Sequence, residues 1–220
     1  MKGGRTVGRI KICGLRRDED IYFANEIQPD FVGFVFAPSK RRITVEKAQH
    51  LRQLLKPEIP AVGVFVNASE EEILEPVRKQ VIQMIQLHGQ ESPDFVRKIQ
   101  EKTALPVIQA VSVKNRQDIL RCRELKVDYL LLDQGAGGTG KTFDWSLLAG
   151  EKGNDEPEQI IGKPFFLAGG ISAQNVEEAI TRFHPFAVDA SSSVETDGVK
   201  DYEKMKMLTE LVHRTAGRAD

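Results

Sequence analysis

Short apolar runs rich in β-branched residues recur along the chain, and after each the polarity rises and apolar residues return at helical spacing. The runs cover 9–13, 31–36, 61–66, 83–87, 106–110, 128–133, 164–168 and 185–189. Several are apolar almost throughout (FVGFVF, AVGVFV, YLLL), as expected of parallel strands buried on both faces. The segments between them start like helices. Ser69 followed by Glu72 fits a capping box, with Ile73, Val77 and Val81 then recurring every fourth residue. Ser92-Pro93 sets a cap residue before a proline at the first helical position. Over 172–183, Val176, Ala179, Ile180 and Phe183 mark one buried face, and over 201–214 Met205, Leu208, Leu211 and Val212 do the same. The weakest helix falls at 144–149, and the polar stretch 151–159 after it reads as a surface loop.

Eight strand–helix units over 220 residues average about 27 residues each. Parallel strands need crossovers of this length, and eight such units close a (β/α)8 TIM barrel, an α/β fold. A doubly wound open sheet is the alternative. The pattern contains no linker, repeat or low-complexity tract, so one catalytic barrel domain over 9–220 is expected. Residues 1–8 read as a disordered N-terminal extension.

Composition narrows the function classes. Apolar residues make up 40% and charged ones 29%, the balance of a soluble globular protein. Lys plus Arg number 31 against 32 Asp plus Glu, so the formal net charge is −1. That lacks the basic excess of a nucleic-acid or anionic-membrane binder, and neither partner is expected. The two cysteines, Cys13 and Cys122, are too few for a disulfide scaffold. No His, Cys or carboxylate cluster has metal-ligand spacing, so no metal is expected. Residues 1–9 have no apolar core of the signal-peptide kind, and no stretch approaches the roughly 20 apolar residues that span a bilayer. A cytoplasmic location is expected.

In a barrel, catalytic groups stand at the C-terminal strand ends. That rule selects Cys13, the loop with Arg41, Asn67, His88, Asp133, Gly169-Gly170 and Asp189. Cys13 by default is a small buried apolar residue, and it can act as a base only where its surroundings favour a thiolate. Asp133 ends an otherwise apolar strand, where a carboxylate is costly to bury without a role; Asp189 follows the same logic. His88 is either a ligand or a hydrogen-bonding group of the core. Cys122, His50, His184 and His213 read as structural. Two glycine-bearing segments compete for phosphate. Residues 135–142, GAGGTGKT, satisfy the nucleotide-binding P-loop pattern after an apolar strand, with Lys141 at the terminal phosphates. A nucleotide-binding module would follow from it. Against it, the helix that follows is short. Gly169-Gly170 and Ser191-Ser192-Ser193 instead follow the seventh and eighth strands, where barrels commonly bind phosphate.

Taken in order, Lys11-Ile-Cys-Gly14, Gly33-Phe-Val-Phe36, Ser39-Lys-Arg41, Gly63-Val-Phe-Val-Asn67, Gln86-Leu-His-Gly89, the GGTGKTFDW segment over 137–145, Leu167-Ala-Gly-Gly170, Pro185-Phe-Ala-Val-Asp189 and Val194-Glu195 resemble the phosphoribosylanthranilate isomerase family of tryptophan biosynthesis. The resemblance runs over nearly the whole chain. It implies a cofactor-free Amadori rearrangement by general acid–base catalysis, with Cys13 as base and Asp133 as acid. It further implies that Arg41 meets the anthranilate carboxylate, that Gly169, Gly170, Ser192 and Ser193 bind phosphate, and that Gln86, His88 and Asp189 also contact substrate. The P-loop match then becomes a coincidence within the family's own loop. A small phosphosugar–anthranilate is the implied substrate, and the chain is expected to be a monomer or homodimer. One departure stands out. Ser193 occupies a position where the family usually has glycine, and a positive φ there would strain the backbone by roughly 1–2 kcal/mol. Another barrel enzyme acting on a different sugar phosphate is the remaining enzymatic alternative.

Overall fold

The structure, a computed structural model, describes residues 8–134, 144–148 and 157–216. Eight parallel strands pair in chain order: β1 (Ile10–Cys13), β2 (Phe31–Val35), β3 (Ala61–Phe65), β4 (Met84–Leu87), β5 (Val107–Ser112), β6 (Tyr129–Asp133), β7 (Phe165–Leu167) and β8 (Ala187–Ala190). β8 then pairs with β1, matching Lys11 with Asp189, so the sheet is a closed barrel rather than an open one. The crossovers are α1 (Asp18–Ile27), α2 (Val45–Leu54), α3 (Glu70–Arg78), α4 (Pro93–Thr103), α5 (Arg116–Arg121), α6 (Pro157–Ile161) and α7 (Val176–Phe183), and α8 (Tyr202–Ala216) follows β8. Residues 1–7 and the P-loop-like 135–142 lie outside the described residues.

Strand alternation sorts the side chains into two cores. Ile10, Ile12, Leu130, Leu132, Phe165 and Leu167 face outward and pack under the helices. Leu131, Val62, Met84, Ile108, Phe166 and Ala187 face inward and fill the barrel. At one end Phe31, Tyr129 and Phe186 surround Phe166, with ring centroids 5.7, 5.8 and 5.4 Å from its own. The lower barrel is therefore solid, and chemistry is confined to the C-terminal mouth.

The expected helix starts hold where capping chemistry specified them. Ser69 Oγ accepts from Glu72 N while Glu72 Oε2 accepts from Ser69 N, and Ser92 Oγ accepts from Phe95 N at 3.2 Å. Four details differ. Val81 falls beyond α3, which ends at Arg78. The sixth crossover has a 3-10 turn at Trp145–Leu148, where a helix over 144–149 is expected. The polar stretch expected to be a loop runs at its end into α6, because Pro157 starts a turn that buries Ile160 and Ile161. α7 begins four residues after Ser172, because Asn175 accepts from Ser172 N and donates to the Gly170 carbonyl, closing a turn first. A small hairpin, β9 (Glu195–Thr196) with β10 (Val199–Lys200), follows the barrel and pairs Glu195 with Lys200.

Phe166→Ala should lower the unfolding free energy by about 3–5 kcal/mol in urea titrations, as expected for a large core truncation. A loss below about 1 kcal/mol would show that the aromatic plug does not hold the lower barrel together.

Candidate active site

The barrel mouth opens into a cavity of about 760 Å³. Twelve residues singled out from the sequence line it: Cys13, Arg41, Asn67, Gln86, His88, Asp133, Gly169, Gly170, Asp189, Ser191, Ser192 and Ser193. They arrive from β1, β4, β6 and β8 and from the loops after β2, β3, β4, β7 and β8, so only barrel closure assembles them.

Cys13 ends β1 and is 8% exposed. Its register partner on β2 is Gly33, and a Cβ there would stand 2.7 Å from the Cys13 sulfur. Glycine at that position is what leaves the thiol its space. Gly14 does the same for Arg41: its φ is +86°, and an added Cβ would collide with Arg41 Cδ. Burial pushes the Cys13 thiol above its ordinary pKa; Lys11 pulls it down, Asp189 pushes it up and Lys200 pulls it down. The sequence pattern carried one clue to Lys11. It lies two residues before Cys13 on the same strand face, yet it is fully buried.

Arg41 is held on one side by Glu195. Its Nε donates to Oε1 at 2.6 Å and its Nη2 to Oε2 at 2.9 Å, a fork-to-fork pair. Lys200 donates to the same carboxylate at 2.9 Å. Burial alone would raise the Glu195 pKa, but these cations hold it down to about 2. Two of the five guanidinium N–H donors are used in this pair, leaving three for an anion in the cavity.

Asp133 ends β6 and is 8% exposed. Its Oδ1 accepts from Gln134 N at 2.7 Å, and its Oδ2 lies 3.6 Å from His88 Nε2. Gln86 Nε2 meets His88 Nδ1 at 2.9 Å. With the amide assigned this way, Nδ1 accepts and Nε2 carries the proton toward Asp133. Gln86 lines the same cavity, and its Oε1 is buried with no partner among the described residues.

Gly169 and Gly170 take φ of 76° and 72°, a left-handed pair that other residues adopt with strain. Such a turn presents successive backbone N–H groups to an anion. Across the seam, Ser192–Val194 forms a 3-10 turn. Ser193 is not among the residues with positive φ, so the strain expected of a serine at this position is absent. Its hydroxyl is buried without a partner among the described residues.

The remaining candidates sit elsewhere. His50 pairs with Asp18 and His213 with Asp30 on the outer surface, and His184 closes α7. Cys122 is buried under the helices, its thiol pushed up to about 11. Sequence reasoning assigned no role to Lys11, Gly33, Glu195 or Lys200. The Asp-Gly pair at 197–198, a turn signal, is the only trace of the hairpin that presents the last two.

A solid lower barrel beneath a polar, glycine-lined mouth makes the chain an enzyme of the (β/α)8-barrel class. Comparison with known proteins goes further. The family model described as N-(5'phosphoribosyl)anthranilate (PRA) isomerase matches residues 10–211, and the chain belongs to that family. An N-(5'-phosphoribosyl)anthranilate isomerase from a Thermoanaerobacter species is 45% identical over 208 residues, spanning 93% of this chain and 97% of that one. The crystal structure of phosphoribosyl anthranilate isomerase from Thermus thermophilus superposes with a TM-score of 0.82 at 33% identity, covering 96% and 100% of the two chains. Another such isomerase, solved in complex with reduced 1-(o-carboxyphenylamino)-1-deoxyribulose 5-phosphate, gives 0.77 at 39% identity and covers 92% and 97%. Among the described residues no helix is long and apolar enough to cross a membrane.

Gly33→Ala should push the Cys13 sulfur off its position and lower kcat by about 10²-fold, the cost of roughly 1 Å of misplacement. Thermal unfolding and steady-state kinetics on the same preparation check this. An unchanged kcat would mean that the thiol's position is not critical.

Proposed function

We propose that the chain converts N-(5-phosphoribosyl)anthranilate into 1-(2-carboxyphenylamino)-1-deoxyribulose 5-phosphate, an Amadori rearrangement in tryptophan biosynthesis carried out in the cytoplasm. Cys13 is the general base and Asp133 the general acid. The observation that carries this reading is that one cavity, in a member of this isomerase family, joins a thiol from β1 to a carboxylate from β6. The related isomerase bound to a reduced form of the product supports the same substrate class.

The chemistry assigns each group a task. Asp133 gives a proton to the furanose ring oxygen as the bond from C1′ to that oxygen breaks. The anthranilate nitrogen supplies the electron pair, and an open-chain Schiff base forms. The Cys13 thiolate then takes the C2′ proton, and the electrons of that bond form the C1′–C2′ double bond and neutralise the nitrogen. The resulting enolamine tautomerises to the ketone. Each acid–base step contributes roughly 10²–10⁴-fold.

Binding falls to the rest of the mouth. The free N–H donors of Arg41 suit the anthranilate carboxylate, whose planar fork they match. The Gly169-Gly170 amides and the Ser192-Ser193 turn suit the phosphate. Gln86 Oε1, left unpaired, suits a ribose hydroxyl between Cys13 and Asp133. His88 and Asp189 flank the same sugar.

Cys13→Ser and Asp133→Asn should each lower turnover, followed as loss of substrate fluorescence, by at least about 10²-fold. Binding of the reduced product analogue should change far less, because neither variant removes a phosphate or carboxylate contact. Cys122→Ser should turn over at the parent rate. Equal rates for Cys13→Ser and Cys122→Ser would overturn the base assignment.

The raised pKa of the Cys13 thiol has a sign in the pH profile. The thiol holds its proton above its ordinary value, so the thiolate fraction, read without substrate as the alkylation rate of Cys13 in the Cys122→Ser protein, should still be climbing beyond the ordinary ionisation range of a thiol. An alkylation rate already flat there would contradict a base of raised pKa.

A further inference from the structure

Lys11 is a fully buried lysine inside the barrel, directly below the reactive thiol. Its Nζ donates to Asp189 Oδ1 at 2.8 Å, across the seam where β8 closes on β1. Lys11 lies two residues before Cys13 on β1, so its side chain leaves the strand on the same face as the thiol. A lysine–aspartate pair in an apolar interior contributes little that well-packed hydrophobic residues would not. Fold stability alone therefore gives no reason for Lys11.

The charges around the sulfur supply one. The buried or nearly buried charged groups on the elements packed against it are Lys11 from β1 with Asp189 from β8, and Arg41 from the loop after β2 with Glu195 and Lys200 from the β9–β10 hairpin. Lys40, largely in solvent, reaches Glu195 only at 3.8 Å. His88 and Asp133 stand on other strands of the mouth, 3.6 Å from each other. With Cys13 as a neutral thiol, three cations of this group are set against two carboxylates; with Cys13 as a thiolate, the charges balance. Burial keeps the proton on the sulfur, and the excess cation offsets part of that cost.

We propose that Lys11 is a positioning residue that acts through Cys13: it is the counter-charge of the thiolate, and Asp189 sets how much of that charge the sulfur feels. The proposal deepens the acid–base reading above and rests on it only for its effect on turnover. Ionisation of the thiol is measurable without substrate.

The test uses full-length protein carrying Cys122→Ser, in which Cys13 is the only cysteine. The rate of alkylation by iodoacetamide is followed against pH, and turnover is measured on the same samples. Lys11→Met should raise the midpoint of thiol ionisation by about one pH unit or more, a tenfold loss of thiolate at neutral pH. Asp189→Asn should move the midpoint down. Lys11→Arg, which keeps the charge, should stay near the parent. Turnover of Lys11→Met should fall about tenfold at neutral pH, and its ratio to the parent should return toward one as the pH rises. An unmoved midpoint, or a shift of the same sign in Lys11→Met and Asp189→Asn, would overturn the proposal. Should Lys11→Met fail to fold, Asp189→Asn decides alone: a lower midpoint supports the counter-charge, and an equal or higher one refutes it. If the midpoints shift as expected while turnover does not follow, the counter-charge stands and the base role of Cys13 falls.

Discussion

The seam between β1 and β8 is the constraint on which the site depends. Strands at opposite ends of the chain pair there, setting Lys11 beside Asp189 and Ile12 beside Ala190. Ser191, directly after β8, then donates its hydroxyl to the Cys13 carbonyl at 3.0 Å. The following hairpin is held against the same edge: Lys200 donates to the Ser191 carbonyl and, with Arg41, grips Glu195. An open sheet with the same strands would leave Cys13 and Asp189 on separate edges. The thiol would then keep Lys11 from its own strand but lose Asp189 and the hairpin carrying Glu195 and Lys200.

Below that layer the barrel has a different task. Its interior from Phe166 and Leu131 downward is apolar and filled, so stability resides at the end away from the chemistry. The mouth can then carry groups that stability would not select. Gln86 Oε1 and Ser193 Oγ are buried without partners among the described residues, and Gly14, Gly33, Gly169 and Gly170 give up side-chain packing to leave room or to turn the backbone. Unsatisfied acceptors and open backbone amides are a liability in a core and useful where a polar ligand will fill the space.

Much of this was legible in the chain itself. FVGFVF and AVGVFV read as strands buried on both faces and form β2 and β3, and Ser69 with Glu72 fixed a helix start through its own hydrogen bonds. The candidate site was legible where a polar group interrupts an apolar strand, as at Asp133, and the family resemblance suggested the roles proposed above. Interactions made at long range were not. Nothing near Glu195 in sequence announces that its partner is Arg41, 154 residues away. Gly33 looks like any strand glycine until Cys13 is set beside it. α6 was missed because its helical character comes from Pro157 and two isoleucines docking on the barrel, and five residues are too few to show a period.

The central claim is that Cys13 and Asp133 act on one sugar held between them. A crystal structure of this chain with reduced 1-(2-carboxyphenylamino)-1-deoxyribulose 5-phosphate tests it most directly. The account predicts the Cys13 sulfur within about 3–3.5 Å of C2′ and the Asp133 carboxylate at hydrogen-bond reach of the former ring oxygen. It also predicts the phosphate on the amides of Gly169-Gly170 and the Ser192-Ser193 turn. A phosphate seated on residues 135–141, or a C2′ carbon facing away from the thiol, would contradict it.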